Sequence, residues 1–477
     1  QPIWKLKFEL HALDKRLKLR ERRLIKLDYQ NNLYQLFLLS RPELMRYEKA
    51  FQEERGNVIK AIFSSVDFNV VLKALPIWIC RSLDVATIVP LQAGLFDLLI
   101  IDEASQCDIA SSIPLIYRAK TMTIVGDPNQ LKHVSFISKN KEVSTKAKYQ
   151  LSGEDLAYRN RSILDQVNAT IVHQENVIFL EEHFRSKPDI IHFSNQTFYS
   201  GQLKVMTDHL QEHKDDNLKI VVVEGERNQQ GENEQEAQEI VAAIKVIIGR
   251  EAPIKKVNCS SIGILSPFRN QVLLLKKMVR QAIDQKHIAK HKILIGTPFS
   301  FQGEERGIMF LSLTIDEKTH PGAVRYLERP DVFNVSITRA KDHQEVYLSM
   351  EPNQLKADSL LSKYLHSKFE RHSEWEEKQS YDVFLNEVHR SLELWGAGKV
   401  FVDRTIGGAR LELLIVQENR TLGIDLLGFP GAYASQLTFN EIMSLERAKI
   451  DVFLLPYSTW YLNQKACTRA LKKFLGL

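Results

Sequence analysis

The sequence predicts an α/β protein with two parallel-sheet domains in succession, a helical arm before them and a smaller α/β domain after them. Three observations predict it. Short continuous apolar runs recur from about residue 61, each followed by a helical pattern, and they come in two consecutive series; strands that alternate with helices form parallel sheets. Before the runs lies a stretch of apolar residues at three- and four-residue steps. After them, past a polar and charged stretch at 351–378, a third and shorter set of helices and strands begins.

The arm spans residues 1–60. Ile3, Leu6, Leu10, Leu13, Leu17, Leu24 and Leu27 form a heptad seam with Arg20 in the one missing place, the pattern of a coiled-coil arm or an antiparallel helical hairpin facing a partner helix. Its other faces are basic, with nine Lys and Arg against four Asp and Glu in residues 1–30. A solvated helix face and a nucleic-acid contact explain that excess equally well.

In the first series, over 61–172, Phe96–Ile101 and Met122–Val125 read as buried parallel strands. The second series, over 173–350, offers Asn176–Leu180, Leu218–Val223, Ser261–Leu265, Ile293–Ile295, Ile308–Leu313 and Glu345–Leu348. Residues 351–378 read as a helical linker. Over 379–477 the expected order is a helix (Tyr381–Leu394) and strands at Lys399–Val402, Ala409–Val416 and Thr421–Leu427. A helix (Asn440–Lys449), a strand (Asp451–Pro456) and a last helix (Asn463–Phe474) follow.

Composition narrows the function classes. Hydrophobic residues at 44% and charged residues at 26% fit a folded globular chain. The net charge of +5 permits a polyanionic partner without requiring one. Cys80, Cys107, Cys259 and Cys467 stand at neither metal nor disulfide-framework spacing, so a reducing, cytoplasmic setting is expected. No apolar run is long enough for a membrane helix.

The first apolar strand ends in Asp102-Glu103-Ala104-Ser105-Gln106. Acids at the carboxyl end of a parallel strand stand where α/β sheets bind ligands. One carboxylate can hold Mg²⁺, a hard cation that prefers oxygen; its neighbour can orient or deprotonate water. This DEASQ string resembles the second motif of superfamily 1 helicases, in the branch of the nonsense-mediated-decay helicases. The resemblance continues in order over about 62–350. Gly126-Asp127-Pro128-Asn129-Gln130-Leu131 resembles the third motif and Leu180-Glu181-Glu182-His183-Phe184-Arg185-Ser186 the fourth. Ile262–Gln271 resembles the strand that opens the next unit. The stretches Gly296–Arg306 and Asn334–Lys341 resemble the fifth and sixth motifs.

The resemblance implies RecA-like domains, ATP and Mg²⁺ as cofactors, and single-stranded DNA or RNA as partner, with 5′→3′ movement. It implies Asp102 for the metal, Glu103 for water and Gln130 as γ-phosphate sensor. Phe184 is implied to stack on adenine, and Arg185 and Arg339 to face the phosphates, a task for planar permanent cations. Gln302, Gly303 and Glu304 are the further nucleotide-site residues; Thr297, Ser300 and Arg269 are implied nucleic-acid contacts, ahead of Phe268. Two features depart from the pattern. Gly307 stands where Asp is usual. No G-x-x-x-x-G-K-[S/T] occurs, so the Lys and backbone cradle for the β- and γ-phosphates is missing. That loop is expected upstream of Gln1, where a long helical insertion would separate it from DEASQ; supply by a second chain, or loss of ATPase activity in a scaffold subunit, are the alternatives.

Glu387, Glu412 and Asp425 resemble the acids of Vsr-like, PD-(D/E)xK nuclease domains appended to some bacterial helicases. Glu412 stands where Asp is usual, Asp425 where Glu is usual, and Leu427 where Lys or a third acid is usual. A Leu can neither ligand a metal nor position water. The expectation is a nuclease-like fold that has degenerated to a binding or docking module, with a helicase–nuclease as the alternative and protein subunits as further partners.

Overall fold

The computed structural model describes residues 3–151, 158–159, 161–207, 217–367, 382–418, 420–429 and 437–477. The chain divides into two compact units, Phe8–Ile178 and Phe179–Leu477 with Gln1–Lys7.

The first unit opens on a helix, Ile3–Gln52, of which residues from Phe8 belong here. The arm does not fold back on itself within these residues: one helix runs through, bent at Ser40 (φ −135°, ψ 23°) just before Pro42. Proline lacks the N–H for the ladder and its ring crowds the preceding turn, which accounts for the bend. The leucine seam is solvent-facing, with Leu10 52% and Leu17 55% exposed. Only the helix's last turns are buried in this unit. Tyr47 packs against Phe63 (5.7 Å) and Trp78 (6.1 Å), and Ala50 joins the same core with Val71, Leu95 and Ile101.

Two strands form the sheet described in this unit. β1 (Phe96–Ile101) pairs in parallel with β2 (Ala119–Ile124) through the crossover helix Ile109–Tyr117. Buried Arg118 ties the crossover down: its guanidinium donates to the carbonyls of Pro90 (2.9 Å), Pro114 (2.6 Å) and Val89 (3.0 Å). The expectation of a fully buried β1 fails. Leu98 is 51% and Ile100 61% exposed, because among the described residues nothing covers that face of the pair.

In the second unit, β3 (Glu182–His183) and β4 (Lys204–Val205) form a short parallel ribbon. The expected strand Asn176–Leu180 is absent; Ile178 and Leu180 are exposed and find no ladder partner, and pairing starts at Glu182. The main sheet is parallel, with β5 (Leu218–Val222), β6 (Ile262–Leu265), β7 (Leu294–Gly296), β8 (Arg306–Asp316) and β9 (Ala340–Ser349) in the order β5-β9-β8-β6-β7. Both faces are covered, as all-parallel sheets require. Ile240, Ile244 and Leu275 lie with Ile264 and Phe310 on one side. Phe193, Phe333 and Tyr364 lie with Met309 and Leu311 on the other. Tyr364 and Leu361 come from the helix Leu360–His366, within the stretch read as a linker, and they are part of this core.

The C-terminal domain of this unit has a four-stranded sheet. β10 (Lys399–Ile406), β11 (Ala409–Gln417) and β12 (Arg420–Leu427) are antiparallel, and β13 (Ile450–Pro456) is parallel to β12. Helices Val383–Leu394 and Gln464–Leu475 pack on one face and Phe439–Arg447 on the other. The first turn of the N-terminal helix is also buried here. Trp4, 4% exposed, stacks on Phe453 at 5.3 Å, and Lys7 reaches Glu446 (2.8 Å) and the Val452 carbonyl (2.7 Å).

Candidate functional site

In the first unit the carboxyl end of β1 delivers Asp102 and Glu103 to solvent. Glu103 has a φ of +52°, a left-handed conformation that costs a non-glycine residue about 1 kcal/mol or more and that clusters at functional sites. The Asp102 carboxylate accepts the Glu103 N–H (2.9 Å), and Gln106 donates to Glu103 at 3.3 Å. The loop after β2 is tied to this turn: Ala104 N–H donates to Val125 (2.9 Å), the Ser105 hydroxyl to Leu131 (3.1 Å), and His133 N–H to Ser105 (3.3 Å). A Cβ at Gly126 would stand 3.1 Å from the Ala104 nitrogen, so glycine allows the two loops to touch. Gln130 donates to Asp127 at 2.9 Å within that loop. The second and third motifs therefore form one bonded structure.

In the second unit Phe184 and Arg185 follow β3 directly. Arg185 pairs with Glu305, and Lys341 pairs with the other oxygen of the same carboxylate. Burial pushes the Glu305 carboxyl up, but Lys341, Arg185 and Arg339 outweigh it and hold it below its ordinary range. Glu305, not Glu304, is thus the acid among these cations. Glu304 turns away to Arg306 at 2.7 Å. The turn at Gly303 (φ +68°) separates the paths of the two neighbouring acids, and a Glu-Glu pair gives no sequence signal for which one faces in. Arg339 is buried, with its Nε donating to the Val335 carbonyl at 3.0 Å. Gln302 carries a buried Nε2 without a hydrogen-bond partner. Such orphaned donors are uncommon and point to an absent acceptor. His183 is held neutral: burial, then the Arg185 cation, lower its pKa to about 4, and its Nε2 accepts the Ser186 N–H at 2.9 Å. At Gly307 a Cβ would lie 3.1 Å from an Asp342 oxygen.

The proposed nucleic-acid residues gather at the carboxyl ends of two adjacent strands. Thr297 and Ser300 follow β7, with hydroxyls 3.4 Å apart, and Gly296 makes room for the turn. Arg269, exposed, follows β6. Phe268 has the Arg227 guanidinium 4.2 Å from its ring centre, which leaves it a packed residue rather than an open platform.

In the C-terminal domain Glu412 and Asp425 lie buried on neighbouring strands. Burial raises Glu412 to about 8 and Asp425 to about 6, the Asp425 and Asp382 charges adding to the first and Glu441 to the second. Glu387 does not join them. It is exposed and takes a hydrogen bond from Gln464 at 2.8 Å; the helix acid whose charge reaches Glu412 is Asp382, the buried N-cap of the same helix. One Asp425 oxygen has no partner.

One mixed donor set, Glu251, Cys259 and His291, has ligand atoms within 4.8 Å of one another. Most of its donor atoms are engaged, and only His291 Nε2 among them is buried without a partner. Ser260 gives Glu251 its hydroxyl (2.7 Å) and N–H (2.8 Å), the Cys259 thiol donates to Ile254 and Lys255, and His291 Nδ1 lies 3.0 Å from the Ser260 carbonyl.

Two family models, each described as an AAA domain, match residues 18–137 and 160–347. The chain carries superfamily 1 helicase domains. Their family matches and the relatives that follow support the nonsense-decay-helicase-like branch. The chain is 27% identical over 365 residues to an uncharacterized ATP-dependent helicase, MG140, of Mycoplasma genitalium, covering 72% of this chain and 31% of that protein. It is 28% identical over 269 residues to Helicase SEN1 of Saccharomyces cerevisiae (52% and 11%) and 26% identical over 253 to probable helicase senataxin of Homo sapiens (52% and 9%). The chain thus spans about a third or less of the length of these relatives. No helix among the described residues is long and apolar enough to cross a membrane.

Proposed function

We propose that the protein is an ATP-dependent helicase that moves 5′→3′ on single-stranded DNA or RNA, with residues 62–350 as most of its motor. The observation that carries this reading is the cation set around Glu305. Arg185 and Lys341 pair with that carboxylate and Arg339 lowers its pKa, while Gln302, three residues before Glu305, has an unsatisfied amide. Three cations and a free donor fit a triphosphate, whose charge spreads over several oxygens. Asp102 would hold Mg²⁺, which neutralises developing phosphate charge when bound. Glu103 takes the proton of the attacking water, Gln130 reads the γ-phosphate from the loop that is bonded to Ser105, and Phe184 stacks on the base. Thr297, Ser300 and Arg269 hold the nucleic-acid backbone. The Lys-bearing phosphate loop, which 1–477 lack, completes the site. Residues 379–477 form a nuclease-like domain that does not cut.

Steady-state ATP hydrolysis by the complete protein tests the assignment. Glu103→Gln should lower turnover by ~10²–10⁴-fold while ATP still binds. Unchanged turnover contradicts it. Strand displacement on duplexes with a 5′ or a 3′ single-stranded tail, made of DNA and of RNA, tests direction and substrate; displacement only with 3′ tails overturns the polarity.

A further inference from the structure

The ribbon that carries Phe184 and Arg185 is held by the C-terminal domain. Met206, whose N–H donates to His183 at 2.9 Å across the ribbon, is buried among Ile406, Ala409, Leu411, Ile442 and Leu445 of that domain. The fit is close. Gly407, with φ +56°, has its Cβ position 1.9 Å from the Met206 sulfur, so only glycine passes there. Arg447 closes the contact from the helix Phe439–Arg447. Its Nη2 lies 2.7 and 2.9 Å from the two Glu182 oxygens and 2.9 Å from the Ser444 hydroxyl, which itself bonds Glu182. The same guanidinium lies 6.0 Å from the centre of the Phe184 ring, within reach of the ring's quadrupole.

We propose that the C-terminal domain is a working part of the nucleotide site, with Arg447 as the positioning residue that fixes Phe184 for stacking on a purine base. The proposal rests on reading Phe184 as the base-stacking residue. Glu182 and Phe184 are two apart in extended chain and so face one way, and one guanidinium, anchored at three oxygens, touches both. Phe184 is 41% exposed, which leaves part of it accessible to a π partner. A ring already held in place loses less rotamer freedom on binding, and that saving appears as affinity. The domain then serves the motor without any cleavage chemistry of its own.

The test is competition in the complete protein. A fluorescent ATP analogue is displaced by ATP and, separately, by inorganic tripolyphosphate, which has phosphates but no base. In Arg447→Ala the inhibition constant for ATP should rise about three- to tenfold, as loss of a cation–π contact implies, while that for tripolyphosphate stays within about twofold. Glu182→Gln, which releases the anchor and keeps the shape, should move ATP the same way; Arg447→Lys should fall between. Equal weakening of both competitors, or no change in ATP, overturns the proposal. Phe184→Ala separates the two levels: if it leaves ATP affinity intact, the stacking assignment fails, and if it weakens ATP while Arg447→Ala and Glu182→Gln do not, only the positioning role fails.

Discussion

Adjacent acids in a turn show how finely the site is divided between residues. Glu304 and Glu305 are one bond apart, yet one pairs with Arg306 and the other with Arg185 and Lys341. In the complete protein Glu305→Gln should slow ATP hydrolysis at least about tenfold, because removing the half-buried acid that both Arg185 and Lys341 pair with leaves two cations misplaced. Glu304→Gln should stay within about twofold, as expected of an exposed pair. The reverse order would return the role to Glu304. His183 gives a second residue-level test. Its pKa of about 4 lies below the ordinary 6.5, so the unfolded chain binds more protons between those values. Its contribution to stability is therefore fully present above about pH 6.5 and lost as pH falls through 4. At about 1.4 kcal/mol per unit, it amounts to at most about 3 kcal/mol. Urea midpoints at pH 7 and pH 4.5 should fall less in His183→Gln than in the parent; an equal fall contradicts the burial account.

Among the elements, the N-terminal helix separates residues that look alike in sequence. Trp4 is in a core and the leucines of the heptad seam are in solvent. Trp4→Ala should cost about 3–5 kcal/mol by loss of packed aromatic surface, whereas Leu10→Ala and Leu17→Ala should stay within about 0.5 kcal/mol. Chemical denaturation of the three variants decides it, and a large loss at Leu10 or Leu17 would mean that the seam is covered. The strands β5 to β9 were legible because a parallel sheet buried on both faces leaves unbroken apolar runs. The same rule misread Asn176–Leu180, where the run exists but no ladder does, and β1, whose outer face stays open. The heptad was real as periodicity but does not name its partner. The place of Asp102 and Glu103 at a strand end was legible from the apolar run before them; Glu305 and Asp382 were not, because choosing between nearby acids needs the turn geometry. Arg447 was out of reach altogether, since it lies 263 positions along the chain from Phe184.

At the scale of the whole molecule, the β3–β4 ribbon and the C-terminal domain share a core through Met206, and that domain buries two carboxyl groups, Glu412 and Asp425. Burial raises Glu412 to about 8 and Asp425 to about 6, and the neighbouring Asp425 charge adds to the rise in Glu412. Among the described residues they are not part of a three-donor cluster, and Leu427 offers neither ligand nor base. The sign of the pH effect follows. A raised carboxyl pKa stabilises the fold below the ordinary value of about 4.5, and that contribution is lost as pH rises through 8 for Glu412 and through 6 for Asp425. Glu412→Gln should therefore raise the melting temperature at pH 8 by several degrees and change it little at pH 5, read by calorimetry. Incubated with Mg²⁺ or Mn²⁺, the protein should leave single- and double-stranded DNA and RNA uncut. Cleavage that vanishes in Asp425→Ala would make the protein a helicase–nuclease, and a melting temperature that climbs with Mg²⁺ at pH 8 only while Glu412 is present would mean that the buried acids are a metal site whose missing charge partner is the ion itself.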